Sequence, residues 1–241
     1  MNEQTKYHEL NAPSITVTIE TLSERIHERF PNSGLYGVSK KLITIGHETE
    51  EQVEWISRPI IPLRIGVAIL IVFIFGGSII GTFSAFSISV QKINLVEFIQ
   101  ALEAGINDVV LISVAIYFFI TLERRVKRHR ALRVIHELRA IAHIIDMHQL
   151  TKDPARLQWE AMGKVKSRNK LTPFQLTRYL DYCSEMLSLV GKISVLYVQY
   201  FDDPVALTAV NEVENLTNGL SRKIWQKLMI LHSGYGWSRD E

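Results

Sequence analysis

The 241-residue chain has one cysteine, Cys183, and with it no means of forming an intrachain disulfide framework or a cysteine-cluster metal site. Proline and glycine number 7 and 13, too few for a collagen-like or low-complexity chain. Neither charge dominates, with 27 Lys or Arg against 25 Asp or Glu, so the net charge says nothing about partners until the charges are placed. Catalytic signatures are missing as well. The sequence holds no phosphate-cradling glycine loop, no nucleophile elbow, no paired catalytic carboxylates and no HExxH run. Gly191 and Gly219 stand alone, and Asp202 with Asp203 reads as a turn and helix cap. The expectation is a protein that is not an enzyme and carries no cofactor and no metal.

What is present is an uneven distribution of apolar residues, which make up 47% of a chain that is also 22% charged. From Ile65 to Phe86 the sequence runs IGVAILIVFIFGGSIIGTFSAF without a charge. As a helix this covers ~33 Å, enough to cross a hydrocarbon layer of ~30 Å. The ~60 mixed polar residues before it argue against a cleavable signal peptide. A second apolar run, Val109 to Leu122, is too short to span alone. Leu95, Phe98, Ile99, Leu102 and Ile106 extend it along one helical face, giving a span of about 95–122. Only SISVQKIN lies between the two runs, so they form a hairpin with both chain ends on one side.

Charge orients the hairpin. Arg124, Arg125, Lys127, Arg128, Arg130 and Arg133 follow the second run directly, whereas the hairpin loop carries only Lys92. The positive-inside rule places both termini in the cytoplasm of a plasma (inner) membrane protein. Residues 123 to 170 hold 13 Lys or Arg against 5 Asp or Glu. Such a block is read as contacting anionic lipid headgroups, each well-placed cation contributing ~1 kcal/mol. Nucleic acid is the disfavoured rival, because the position beside a membrane exit already accounts for the charge.

The fold class that results is an all-α membrane protein, a two-helix transmembrane hairpin with a cytoplasmic antiparallel helical bundle. Its parts are an N-terminal helical arm over 1–57, the hairpin over 58–122 and a helical domain over 123–241. In the arm, a helix over TLSERIHERF ends at Pro31 and a second starts near Gly34, with little apolar content to form a core of their own. Asp153-Pro154, Thr172-Pro173 and Asp203-Pro204 each pair an N-cap with a proline in the first turn. They predict a helix reaching about Leu150, a short element near 154–163, and helices over 173–201 and 204–231. Leu176, Leu180, Cys183, Leu187, Val190, Tyr197 and Phe201 form a heptad seam that misses a beat at Ser194. Ala209, Val213, Leu216, Leu220, Ile224, Leu228 and Leu231 share a side of the last helix. A three-helix coiled-coil-like bundle is expected, with Cys183 as a small core residue.

Four groups of residues are candidates for function. Gly77, Gly81 and Ala85 make a small-residue stripe of the kind that lets membrane helices approach closely. Glu103, Asn107 and Asp108 lie in the outer part of the second span, where acids are expensive unless hydrated or paired. The six cations from Arg124 to Arg133 are the headgroup candidates. His129, His136 and His143 recur every seven residues and stay within ~40° of one another on a helix, on the face opposite Leu138, Ile141, Ala142 and Ile145. With Asp146 they make a protonation-sensitive face suited to a subunit or partner contact. Successive histidines stand ~10 Å apart and do not share a metal.

The functional expectation is a non-enzymatic inner-membrane protein that anchors or relays an interaction, with a cytoplasmic protein as partner, through its helical domain as a homo-oligomer. The alternative is an oligomeric cation or proton channel, with Glu103, Asn107 and Asp108 at its outer entrance and Ser113, Tyr117 and Thr121 lining one face.

Overall fold

The computed structural model describes residues 9–87, 95–154 and 171–235, and among them every regular element is an α-helix. These are α1 (Ala12–Arg29), α2 (Gly34–Ser57), α3 (Ile61–Ser87), α4 (Leu95–Leu150), α5 (Pro173–Gln199) and α6 (Pro204–Tyr235). The chain divides into two compact units, one of Arg58–His129 and one that joins Met1–Ser57 to Arg130–Glu241.

Local chemistry sets the helix ends. Thr172 accepts from the Gln175 amide while the Gln175 side chain accepts from the Thr172 amide, a complete capping box ahead of Pro173. Asp203 Oδ1 accepts from the amides of Val205 and Ala206 ahead of the last helix. Helix α1 starts at Ala12, well before the expected Thr21, because Asn11 caps it and Pro13 occupies its first turn. The hydroxyls of Thr16, Thr18 and Thr21 bond to carbonyls four residues back, so these residues do not interrupt it. The expected element near 154–163 lies outside the described residues beyond Pro154.

The larger unit has one continuous core, and the N-terminal arm is part of it. Helices α1 and α2 form an antiparallel pair, with the buried hydroxyls of Ser23 and Ser39 2.8 Å apart and Gly46 against Thr16 and Ile19. Their apolar edges, Ile15, Ile19, Leu22 and Ile26 with Leu35, Leu42, Ile45 and Ile56, belong to the same buried cluster as α5 and α6. The arm, whose apolar content is too small for a core of its own, is buried against the C-terminal helices. Five helical segments supply the core instead of three, because α5 carries two buried edges. One is the heptad seam read from the sequence. The other is Tyr179, Tyr182, Met186, Leu189, Ile193 and Leu196, spaced by alternating threes and fours and likewise buried.

The missing beat at Ser194 is buried too, its hydroxyl donating to the Gly191 carbonyl. Helices α5 and α6 run antiparallel, with Gly191 meeting Thr217. The part of α4 from Arg130 onward adds Ala131, Val134, Ile135, Leu138, Ile141, Ala142 and Ile145 to the core. It is tied to α2 by Lys41–Glu137 and to α6 by Arg139–Glu212. Lys227 donates to the carbonyls of Gln149 and Lys152, capping the end of α4 with a cation. Cys183 is a core residue, and burial pushes its thiol up to about 12.

Candidate membrane-spanning hairpin

Helices α3 and α4 are both long and apolar enough to cross a membrane. Their apolar runs expose large side chains, Ile65, Ile69, Val72, Phe73, Ile79 and Ile80 on α3 and Val109, Val110, Leu111, Val114 and Phe118 on α4. In the unit Arg58–His129 most shielded residues in the apolar run of each helix fall on one edge. On α3 these are Leu63, Val67, Ile71 and Ile74, and on α4 they are Asp108, Ile112, Ala115, Phe119 and Leu122. Steps of four and three give the α4 edge heptad spacing, and Ile112 is its most buried member.

Glu123 closes the end of this pair nearest the basic block. Its carboxylate accepts from the Ile60 amide at the start of α3, pairs with Arg64 at 3.4 Å and pairs with Lys127 at 3.1 Å. Sequence reading missed this role, because Glu123 stood among six cations and its partners at Ile60 and Arg64 lie some 60 residues away. The signal available was an acid directly after an apolar run, facing an arginine at the start of the preceding one.

The structure separates the candidate cations. Arg124, Arg125, Arg130 and Arg133 are exposed, as a headgroup contact requires. Lys127 is not. It is buried, because it sits one turn after Glu123 on the same edge and its ammonium is held there. In the other unit, Arg130 lies with its guanidinium 3.8 Å from the centre of the Trp55 ring, a cation–π contact that engages it within the helical unit. Arg128 is half-buried.

The intramembrane candidates also part company. Glu103 and Asn107 are exposed, while Asp108 is half-buried on the edge shared with Ile112. At 100° per residue, Asp108 points ~140° away from Glu103. The three residues therefore do not form one cluster. Ser113, Tyr117 and Thr121 are exposed, and the hydroxyls of Ser113 and Thr121 donate to the carbonyls of Val109 and Tyr117. Added Cβ atoms at Gly77 and Gly81 would meet no described atom within 4 Å, so the small-residue stripe makes no contact within the described hairpin. The Ala85 side chain lies outside the described residues.

His129, His136 and His143 are all exposed, and Leu138, Ile141, Ala142 and Ile145 opposite them are buried. Asp146 accepts from the Gln149 side-chain amide. Among the described residues no group of three His, Cys, Asp or Glu is placed to hold a metal ion. An open groove of about 410 Å³ between the start of α5 and the end of α6 shows Trp225 and Met229 beside Arg178, Asp181 and His232.

No protein-family model, curated protein or solved structure matches this chain.

Proposed function

We propose that the chain is a two-span protein of the plasma (inner) membrane with both termini in the cytoplasm. It catalyses no reaction, and it anchors and relays interactions through the helical unit built from residues 1–57 and 130–241, as a homo-oligomer. The observation that carries this reading is the composition of that unit. Segments from both sides of the hairpin share one buried core, joined by contacts such as Tyr197 to Thr49 and Leu10 to Gln199. Both flanks of the hairpin must then lie in one compartment, which an even number of crossings satisfies. The exposed Arg124, Arg125 and Arg133 beside the apolar stretch support the cytoplasmic side and a contact with anionic headgroups.

Cysteine labelling tests the topology directly, and the native chain is a quiet background because Cys183 is buried with its thiol protonated. Lys223, exposed on α6, and Gln91, in the segment joining the spans, are replaced by cysteine one at a time. A membrane-impermeant maleimide is expected to label Gln91→Cys in intact cells and Lys223→Cys only after permeabilisation. Labelling of Lys223→Cys in intact cells overturns the reading.

A further inference from the structure

At the end of the hairpin nearest the basic block, two cations share one carboxylate. Glu123 Oε1 accepts from the Ile60 amide at 3.3 Å and from the Lys127 ammonium at 3.1 Å, and Oε2 accepts from Arg64 Nε at 3.4 Å. The Glu123 and Lys127 side chains are nearly enclosed, at 15% and 11% exposure, whereas that of Arg64 is 64% exposed. Arg64 uses only its Nε–H on Glu123, so the carboxylate fixes the guanidinium by one edge and does not engage its two terminal amino groups. Ionised Glu123 by itself would repel an anion. With Arg64 and Lys127 both on it, the group is a net cation, and its open part is the fork of Arg64.

We propose that Arg64 anchors a discrete site for the phosphate of an anionic phospholipid. The inference rests on the membrane reading above and adds a residue that lies outside the run from Arg124 to Arg133. Depth selects the ligand. Arg64 directly precedes Ile65, where the uncharged run of α3 begins, and Glu123 directly follows Leu122, where the apolar run of α4 ends. In the membrane reading that level is the boundary between hydrocarbon and headgroups, where lipid phosphates lie. A planar guanidinium presents paired N–H donors that match two phosphate oxygens, which an ammonium does not. Lys127, held on the same carboxylate, adds to the positive potential from a poorly solvated position. Exposed Arg124, Arg125 and Arg133 attract an anionic surface diffusely, through charge alone. The Arg64 site differs in kind, because it saturates with one lipid per chain and depends on the guanidinium fork.

Native mass spectrometry of the detergent-purified full chain tests this, with phosphatidylglycerol, phosphatidylcholine and inorganic phosphate as probes. One saturating phosphatidylglycerol adduct per chain is expected. Arg64→Lys keeps the charge and a cation for Glu123 but removes the fork, and Arg64→Gln removes both. Each should weaken the adduct about tenfold to a hundredfold, as loss of a charge-assisted hydrogen bond does. The double variant Arg124→Gln/Arg125→Gln should leave it unchanged. Equal adducts in Arg64→Lys and the wild type overturn the inference, because charge alone then suffices, and so does an adduct lost only in the double variant. Phosphatidylcholine, whose own choline balances its phosphate, should bind more weakly, and equal binding overturns the choice of an anionic lipid. Inorganic phosphate, without acyl chains, should give no saturable adduct. Arg64-dependent phosphate binding as tight as that of phosphatidylglycerol would assign the site to a soluble ligand and overturn the lipid.

Alkaline carbonate extraction of native membranes separates this inference from the membrane reading. Release of the chain overturns both, whereas retention without an Arg64-dependent adduct overturns the lipid site alone.

Discussion

The union of the N-terminal arm with the C-terminal helices hangs on contacts that a double-mutant cycle can measure, and the Tyr197–Thr49 pair is the most direct. Tyr197 is a buried α5 residue whose hydroxyl donates to Thr49 Oγ1 on α2 at 3.1 Å, and Thr49 in turn donates to the Ile45 carbonyl at 2.6 Å. Burial pushes the Tyr197 phenol up to about 12, so it remains a donor through the range in which proteins are assayed. Tyr197→Phe removes one neutral hydrogen bond without altering the ring, a loss of ~1 kcal/mol. Thr49→Val removes the same bond from the other side, and the Gln52 side chain, 3.5 Å from the phenol, offsets a fraction of it.

For a unit of this size ~1 kcal/mol corresponds to ~2–4 °C in Tm. Thermal unfolding of the detergent-solubilised full chain, followed by circular dichroism, should show each single variant falling by about that amount. The double variant should fall by ~1 kcal/mol less than the sum, because both substitutions remove one interaction. Additivity to within ~0.3 kcal/mol would refute the docking of α2 on α5 through this pair.

Three further outcomes are expected. Leu138→Ala, at a fully buried α4 position, should cost ~2–5 kcal/mol, while Ile144→Ala on the exposed face of the same helix should cost under ~1 kcal/mol; equal effects in thermal unfolding would contradict the placement of that face. Burial holds the Asp181 carboxyl above its ordinary range, against the lowering effect of Arg178. An acid raised in the folded state binds protons on folding, so its contribution is full below the unfolded pKa near ~4 and is lost as pH rises through the folded value. Asp181→Asn should therefore flatten that part of the Tm–pH curve, and an unchanged slope would show that another group sets it. Liposomes containing the wild-type protein should show no proton or cation flux from about pH 5 to about pH 8, and any flux abolished by Asp108→Asn would favour a conducting oligomer over an anchor.

How far the fold is legible in the sequence depends on how many edges a helix buries. Helix termini are read well wherever a cap and a proline coincide, as at Thr172 and Asp203, since the capping hydrogen bonds are local. The first seam of α5 is equally plain. Its second edge, Tyr179 to Leu196, has the same spacing but mixes tyrosines with aliphatics, and only the partner helices reveal that it faces inward. The arm shows the same limit. Its apolar positions are few, yet Ile15, Ile19, Leu22 and Ile26 all point one way, and the surface they need comes from residues well over a hundred positions downstream. In the hairpin, Glu103, Asn107 and Asp108 look like one group because they are close in sequence. At 100° per residue, Asp108 turns to the opposite face. Long-range pairs such as Arg64 with Glu123 leave no periodic trace.

The discontinuous helical unit also has a consequence for the order of events during synthesis. Helices α1 and α2 leave the ribosome first, but α5, which completes their core, begins only at Pro173. At ~5–20 residues per second the interval between the end of α2 and the start of α5 is roughly 6 to 23 seconds. Within it both apolar runs are made. The arm is therefore exposed with Ile19, Leu22, Leu42 and Ile45 uncovered while the translocation machinery handles the hairpin. A nascent chain halted before Pro173 should be a protease-sensitive, chaperone-bound species, and one extended past Leu231 should become resistant in its arm and its C-terminal helices together.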